Sequence, residues 1–164
     1  MRVIGIDPGT RHLGWGLVQR EGTRLVHIAH GVVDTDTTAP LAERLCQIER
    51  ELVDAIAAHR PDAGAVEAIF FSKDPQAAAK LGHARGVALL VLARAGLTVG
   101  EYPPTLVKQA VVGTGRADKH QVAMIVKTML RLPELARTDA SDALAVAICH
   151  LNVAGFRARL GAAR

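Results

Sequence analysis

VIGIDPGT, residues 3–10, is the stretch on which the reading of this chain turns. The run Val3–Ile6 is apolar and closes on Pro8-Gly9, so it reads as a buried strand ending in a tight turn. Asp7 interrupts that reading. An ionised carboxylate in a core is costly unless something pairs with it. Asp7 therefore either shapes the turn or holds a cation. Outward from this strand, LGWGLVQR (13–20) predicts a second strand, EGT (21–23) a hairpin turn, and RLVHIAHGVV (24–33) a third strand. Connections this short make the three an antiparallel meander.

Beyond the meander the period changes. Leu41, Leu45, Ile48, Leu52 and Ile56 recur at helical spacing to about His59, with Thr38 as the expected cap and Pro40 in the first turn. PDAGAVEAIFF (61–71) begins with a turn and predicts a fourth strand reaching Phe71. Asp74 and Pro75 start a long helix to about Ala95. LTVGEYPP (97–104) is a fifth strand stopped by two prolines. A short helix follows at 105–113, a flexible loop GTGRAD at 113–118, a helix at 119–132, and a last helix from about Asp139 through ALAVAICHL. This order predicts one α/β domain over residues 1–164. Its sheet would be mixed and five-stranded, three antiparallel strands and then parallel ones, with helices on both faces.

Bulk properties narrow the function classes. The 164 residues suffice for one core without staples. With 49% hydrophobic and only 3% aromatic residues, that core must be built of Ala, Val, Leu and Ile. A net charge of +4 permits a polyanionic partner. No dense basic amphipathic helix points to a membrane surface. The longest apolar stretch, GVALLVLARAG (86–96), is too short to span a bilayer. No signal peptide is visible. Cys46 and Cys149 form no CxxC pair and read as buried free thiols of a reducing compartment. The expectation is a soluble cytoplasmic protein with no membrane partner. His12, His27, His30, His59 and His150 form no metal-ligand spacing, and Trp15 is expected in the core.

Three further acids join Asp7. Glu67 lies on an otherwise buried strand, and a buried strand glutamate needs a partner. If the fourth strand runs parallel beside the first, both carboxylates lie toward the carboxyl ends of their strands, where ligands gather in such sheets. Asp139 and Asp142 stand three apart at a helix start, hence on one face. Taken alone, that pair equally resembles a helix cap. No Lys or Arg is evident in the sequence beside Asp7 or Glu67. Four converging carboxylates would have to protonate or bind cations. An all-oxygen ligand set with open positions favours Mg²⁺ or Mn²⁺. Two such ions close together form the arrangement that cleaves phosphodiesters.

These residues carry a resemblance. GIDPGT, VEAIFF, KLGHARG, VKQAVVGTGRADKHQV and DASDALAVAICH, in order over nearly the whole chain, are similar to the RuvC-type Holliday junction resolvases, which are crossover junction endodeoxyribonucleases. The resemblance implies a ribonuclease H-like fold, with Asp7, Glu67, Asp139 and Asp142 as catalytic and metal-binding acids. Some relatives carry histidine at the position of Asp139. It implies a Mg²⁺-dependent homodimer making two symmetric nicks in a four-way DNA junction, for recombination and repair. It further implies 5′-phosphate ends and partnership with the RuvA and RuvB branch-migration proteins.

Other residues fit around that core. Phe70 and Phe71 are adjacent, so in a strand one leaves the core; it either packs at the sheet edge or stacks on bases. The resemblance favours Phe70 for the stacking role. Lys108 and Lys119 flank the GTGRAD loop, at positions where the family's lysines support DNA binding and catalysis. Arg116 and His120 could add phosphate contacts, and Lys73 and Arg85 are further candidates. Gly82 and Gly86 make a small-residue groove on the long helix, for packing within the chain or between two copies. Three other readings compete. An ATP-binding phosphotransferase, prompted by DPGT, needs a second half for which there is no room. A nuclease of structured RNA and a junction-binding module without catalysis remain.

Overall fold

Side chains of the first strand alternate. Val3 and Gly5 face one helical layer, and Ile4 and Ile6 face the other. The computed structural model describes residues 1–68 and 75–162, with residues 75, 77 and 156–162 as backbone only. The elements are β1 (Arg2–Asp7), β2 (His12–Glu21), β3 (Arg24–Asp34), α1 (Leu41–His59), β4 (Ala63–Glu67), α2 (Pro75–Arg94), β5 (Thr98–Tyr102), α3 (Pro104–Val112), α4 (Lys119–Leu130) and α5 (Thr138–Ala162). The sheet runs β3-β2-β1-β4-β5. The first three strands pair antiparallel, and β4 and β5 continue parallel to β1. This is the expected mixed sheet.

Two cores sit on its faces. On one, Ile48 and Leu52 of α1 and Ala84, Ala88, Val91 and Leu92 of α2 pack on Ile4, Ile6, Leu13, Leu17, Val33 and Val66. On the other, Val107, Val111, Val122, Val126, Leu144 and Ile148 of α3, α4 and α5 pack on Val3, Val18, Ala63, Ala65 and Tyr102. The small aliphatic composition works because helices approach the sheet closely, as the Ala-rich core of α5 shows. Among the described residues, no helix is long and apolar enough to cross a membrane.

Several local expectations change. α1 starts at Leu41 with Pro40 as its cap residue, and no side chain caps it. Thr38 instead donates from its N–H and hydroxyl to Asp36 Oδ1 at 2.8 and 2.7 Å, closing a turn before the helix. β4 ends at Glu67, short of Phe71, and the Ala68 N–H donates to the Tyr102 carbonyl at 2.8 Å. α5 continues past Leu151 to Ala162. Trp15 is half-buried, packed against the core margin over Gly31, where a Cβ would meet the indole at 2.6 Å. Cys46 is exposed; only Cys149 is buried, and burial pushes its thiol up to about 11. The β2–β3 register shifts between Leu17 and Val18, whose partners are Ala29 and His27. This bulge at Ile28 brings His27 and His30 side by side, 2.8 Å apart between ring nitrogens.

Candidate active site

β1 and β4 lie parallel with Ile6 opposite Val66, so Asp7 and Glu67 follow side by side at the strand ends. Both continue the faces of Gly5 and Ala65, toward α5. Glycines decide how near α5 can come. In β1 and β2, Gly5 pairs with Gly16 and Asp7 with Gly14. A Cβ on Gly14 would lie 1.9 Å from the Asp139 carbonyl oxygen, and one on Gly5 would lie 2.1 Å from that of Ala143. On Gly16 a Cβ would meet Leu144 at 2.7 Å. The first turns of α5 therefore rest on bare backbone, and Asp139 and Asp142 descend toward Asp7. Arg137 fastens this end of the helix. Its guanidinium grips both oxygens of Asp34 at the end of β3, at 2.5 and 2.8 Å. His12 Nδ1 lies 2.7 Å from the same carboxylate. Arg137 and His12 hold Asp34 well below the usual carboxylate range.

The acids feel one another. Burial pushes Asp7 up to about 8, and the charges of Glu67, Asp142 and, least, Asp139 add to the rise; Lys119 opposes it. Burial also raises Glu67, with Asp142 adding to it and Lys119 and Lys108 opposing. Lys119 Nζ donates to Asp142 Oδ2 at 2.7 Å, which raises the ammonium, as do the charges of Asp142, Asp7 and Glu67. The cations missing from the sequence neighbourhood of Asp7 and Glu67 thus arrive from α3 and α4. Their charge is too little to keep Asp7 ionised at neutral pH. Lys119 is held at the first helical position of α4 by a capping box. Asp118 accepts from the Gln121 N–H at 2.8 Å, and the Gln121 side chain accepts from the Asp118 N–H at 3.1 Å. Ala117, 3% exposed, anchors the end of the loop read as flexible.

A cleft of about 230 Å³ opens between β4, α3, α4 and α5, walled by Glu67, Asp142, Lys108 and Lys119 over Val107 and Val122. A divalent cation suits this donor set: the donors are carboxylate oxygens, and the lysines beside them offset only part of their charge. Among the described residues, no group of three or more His, Cys, Asp or Glu is placed to share one ion as the chain stands. Lys119 occupies the Asp142 carboxylate instead.

The remaining predicted residues fall differently. Asp139 lines a separate cavity, on the side of the β1–β2 turn. Arg116 and His120 are exposed, next to Lys119 but outside the cleft lining. Arg85 is not drawn to the acids. It pairs with Glu101 on β5, and among the described residues its buried Nε has no hydrogen-bond partner. Phe70, Phe71 and Lys73 lie outside the described residues. Among the described residues, a Cβ on Gly86 would meet nothing within 4 Å. Sequence reading passed over Gly5, Gly14 and Gly16, although glycine inside a strand is a signal of close approach.

Comparison with known proteins agrees with this fold. A family model described as "Crossover junction endodeoxyribonuclease RuvC" matches residues 3–150. The crossover junction endodeoxyribonuclease RuvC of Sorangium cellulosum is 60% identical over 162 residues, covering 99% of this chain and 90% of the relative. The structure of Thermus thermophilus RuvC superposes with a TM-score of 0.84 at 39% identity, covering 98% of this chain and 97% of that one. T. thermophilus RuvC in complex with Holliday junction substrate superposes with a TM-score of 0.86 at 37% identity, covering 95% and 96%. The sheet and helices described above are those of this ribonuclease H-like fold.

Proposed function

The chain belongs to the RuvC family of crossover junction endodeoxyribonucleases, and on that premise we propose that it resolves four-way DNA junctions by paired symmetric nicks, in recombination and repair. The observation that supports this reading is that Asp7 and Glu67 end adjacent parallel strands and feel the charge of Asp142 and, at Asp7, of Asp139, with two lysines in the adjoining cleft. In this reading the four acids hold Mg²⁺, two ions in the active complex, with Mn²⁺ able to substitute. Bound there, the metal supplies an activated water and charge stabilisation for the leaving oxygen.

The chain's own residues do the rest. Asp7 gives up its proton when positive charge arrives, which frees both oxygens as ligands. Lys119 lies within reach of the acids and of an incoming phosphate, so it can exchange Asp142 for the DNA backbone. Lys108 lines the same cleft and holds the strand beside Glu67. Arg116 and His120 extend this basic edge. Phe70 or Phe71 stacks on bases at the cut, and Lys73 and Arg85 add phosphate contacts. Hydrolysis leaves 5′-phosphate ends.

Two copies are needed to cut two strands of like polarity, so the active form is a homodimer. The open face of α2 at Gly86 suits a helix-on-helix contact. One domain over residues 1–164, a cytoplasmic setting and cooperation with RuvA and RuvB complete the proposal.

The test is nicking of a synthetic mobile four-way junction, beside linear duplex, single strands and a structured RNA of matching sequence, without metal and with Mg²⁺ or Mn²⁺. Paired symmetric nicks confined to the junction and dependent on metal are expected. Preferential cutting of the RNA would overturn the reading, and so would tight junction binding without cutting in either metal.

A further inference from the structure

A second cavity, of about 380 Å³, opens beyond Asp7 on the side of β2. Thr10 and Arg11 of the β1–β2 turn and His12 at the start of β2 form one wall, Lys80 of α2 another, and Asp139, whose charge reaches Asp7, a third. The turn is braced from below. Thr35, 8% exposed, donates its hydroxyl to the Thr10 carbonyl at 2.7 Å and its N–H to the Arg11 carbonyl at 3.0 Å. The Arg44 guanidinium donates to the same Thr10 carbonyl and, from Nε, to the Thr35 hydroxyl at 3.1 Å. Gly9 keeps the turn tight, since a Cβ there would lie 2.1 Å from the His12 carbonyl oxygen. His12 is tied to Asp34.

The backbone of Arg11 is thus fixed while its side chain is exposed to solvent. Among the described residues, neither the Arg11 guanidinium nor the Lys80 ammonium has a hydrogen bond or an ion pair. Lys119 and Arg137, by contrast, are engaged by Asp142 and Asp34, and Lys108 faces the acids from the other cleft. Two unpaired cations face one carboxylate here, on a braced wall, beside a cluster read as a phosphodiester-cutting centre. A guanidinium fork and a point ammonium are together suited to a phosphate.

We infer that Arg11 and Lys80 form a phosphate subsite, which takes a backbone phosphate of the cut strand on the opposite side of the acids from Lys108 and Lys119. The inference rests on the junction-cutting reading. Asp139 keeps the bound phosphate toward the cations and away from the acid cluster. Thr35 and Arg44 are positioning residues, since they set where Arg11 starts. A strand gripped on both sides of the acids presents the phosphodiester between the grips to Asp7 and Glu67.

The test compares the parent chain with Arg11→Gln/Lys80→Gln in junction binding across a salt series, without metal. Nicking is then measured on junctions carrying one neutral methylphosphonate at each position flanking the cut. Both side chains are exposed and unpaired, so the thermal midpoint should not move. The double variant should lower the log-affinity against log-salt slope by about two, one for each lost contact. One methylphosphonate position should slow the parent severalfold and leave the variant no slower than it already is. An unchanged slope, or a methylphosphonate profile identical in both proteins, would overturn the subsite. If the parent nicks the junction while those results are unchanged, the subsite alone fails. A parent that neither binds nor cuts the junction overturns the subsite and the junction-cutting reading together.

Discussion

Asp7 is costly where it stands, and its cost has a pH signature. Its carboxyl is raised from an ordinary value of 3.8 to about 8 in the folded chain, by burial first and by Glu67 and Asp142 after it. Between these values the folded state binds more protons than the unfolded state, so metal-free stability falls as pH rises from about 4 to 8. Asp7→Asn removes that penalty. In chelator it should match the parent near pH 4 and exceed it at pH 8, by up to about 5 kcal/mol. Chemical denaturation at the two pH values reads this directly, and the same variant should nick no junction. Lys119 behaves oppositely. Its side chain is 68% exposed, so its ion pair with Asp142 adds at most about 1 kcal/mol of stability. Lys119→Gln should leave the melting temperature nearly unchanged, yet reduce the salt slope of junction binding by about one and slow nicking. Asp7 and Glu67 were legible because a charge inside an apolar strand contradicts its surroundings. The Lys119–Asp142 pair was not legible, because nothing local signals a contact between residues on different helices.

At the scale of elements, β1, β2 and α5 make the site by how closely they pack. Gly5, Gly14 and Gly16 let the first turns of α5 rest on the sheet. Gly14→Ala places a methyl against the Asp139 backbone. It should cost about 1–3 kcal/mol in overpacking and suppress nicking further than the stability loss explains, because Asp139 and Asp142 move away from Asp7. Measuring activity well below the melting temperature separates the two effects. Asp118→Ala removes the cap of α4, for about 1 kcal/mol and a midpoint lower by roughly 2–4 °C. It should also weaken junction binding, since Lys119 sits on that first turn; a variant that melts earlier but binds as the parent does would separate the cap from the site. Periodicity predicted the body and apolar face of α1, and short turns predicted the meander. The ends were harder. Thr38 has the chemistry of a cap but spends its hydroxyl on Asp36, and Glu67 ends β4 although the apolar run continues to Phe71.

Over the whole molecule, one sheet gathers the acids and leaves the cations at their edges. Asp7 and Glu67 come from parallel strands at the sheet centre, where both carboxyl ends open to the same side. The fold class was legible because short turns force the antiparallel meander, while the helix between β3 and β4 permits parallel pairing. The split of the basic residues into Lys108 and Lys119 in one cleft and Arg11 and Lys80 in another was not legible, because it depends on where α2, α3 and α4 cross the sheet end. In the proposed reading, Asp7 and Glu67 hold the metal that cuts DNA. Anomalous scattering from crystals of the chain with junction DNA and Mn²⁺ tests it most directly. A manganese peak at ligand distance from Asp7 and Glu67 is expected, with Lys119 drawn off Asp142. A junction-bound chain with no manganese at Asp7, and with Lys119 still on Asp142, would contradict it.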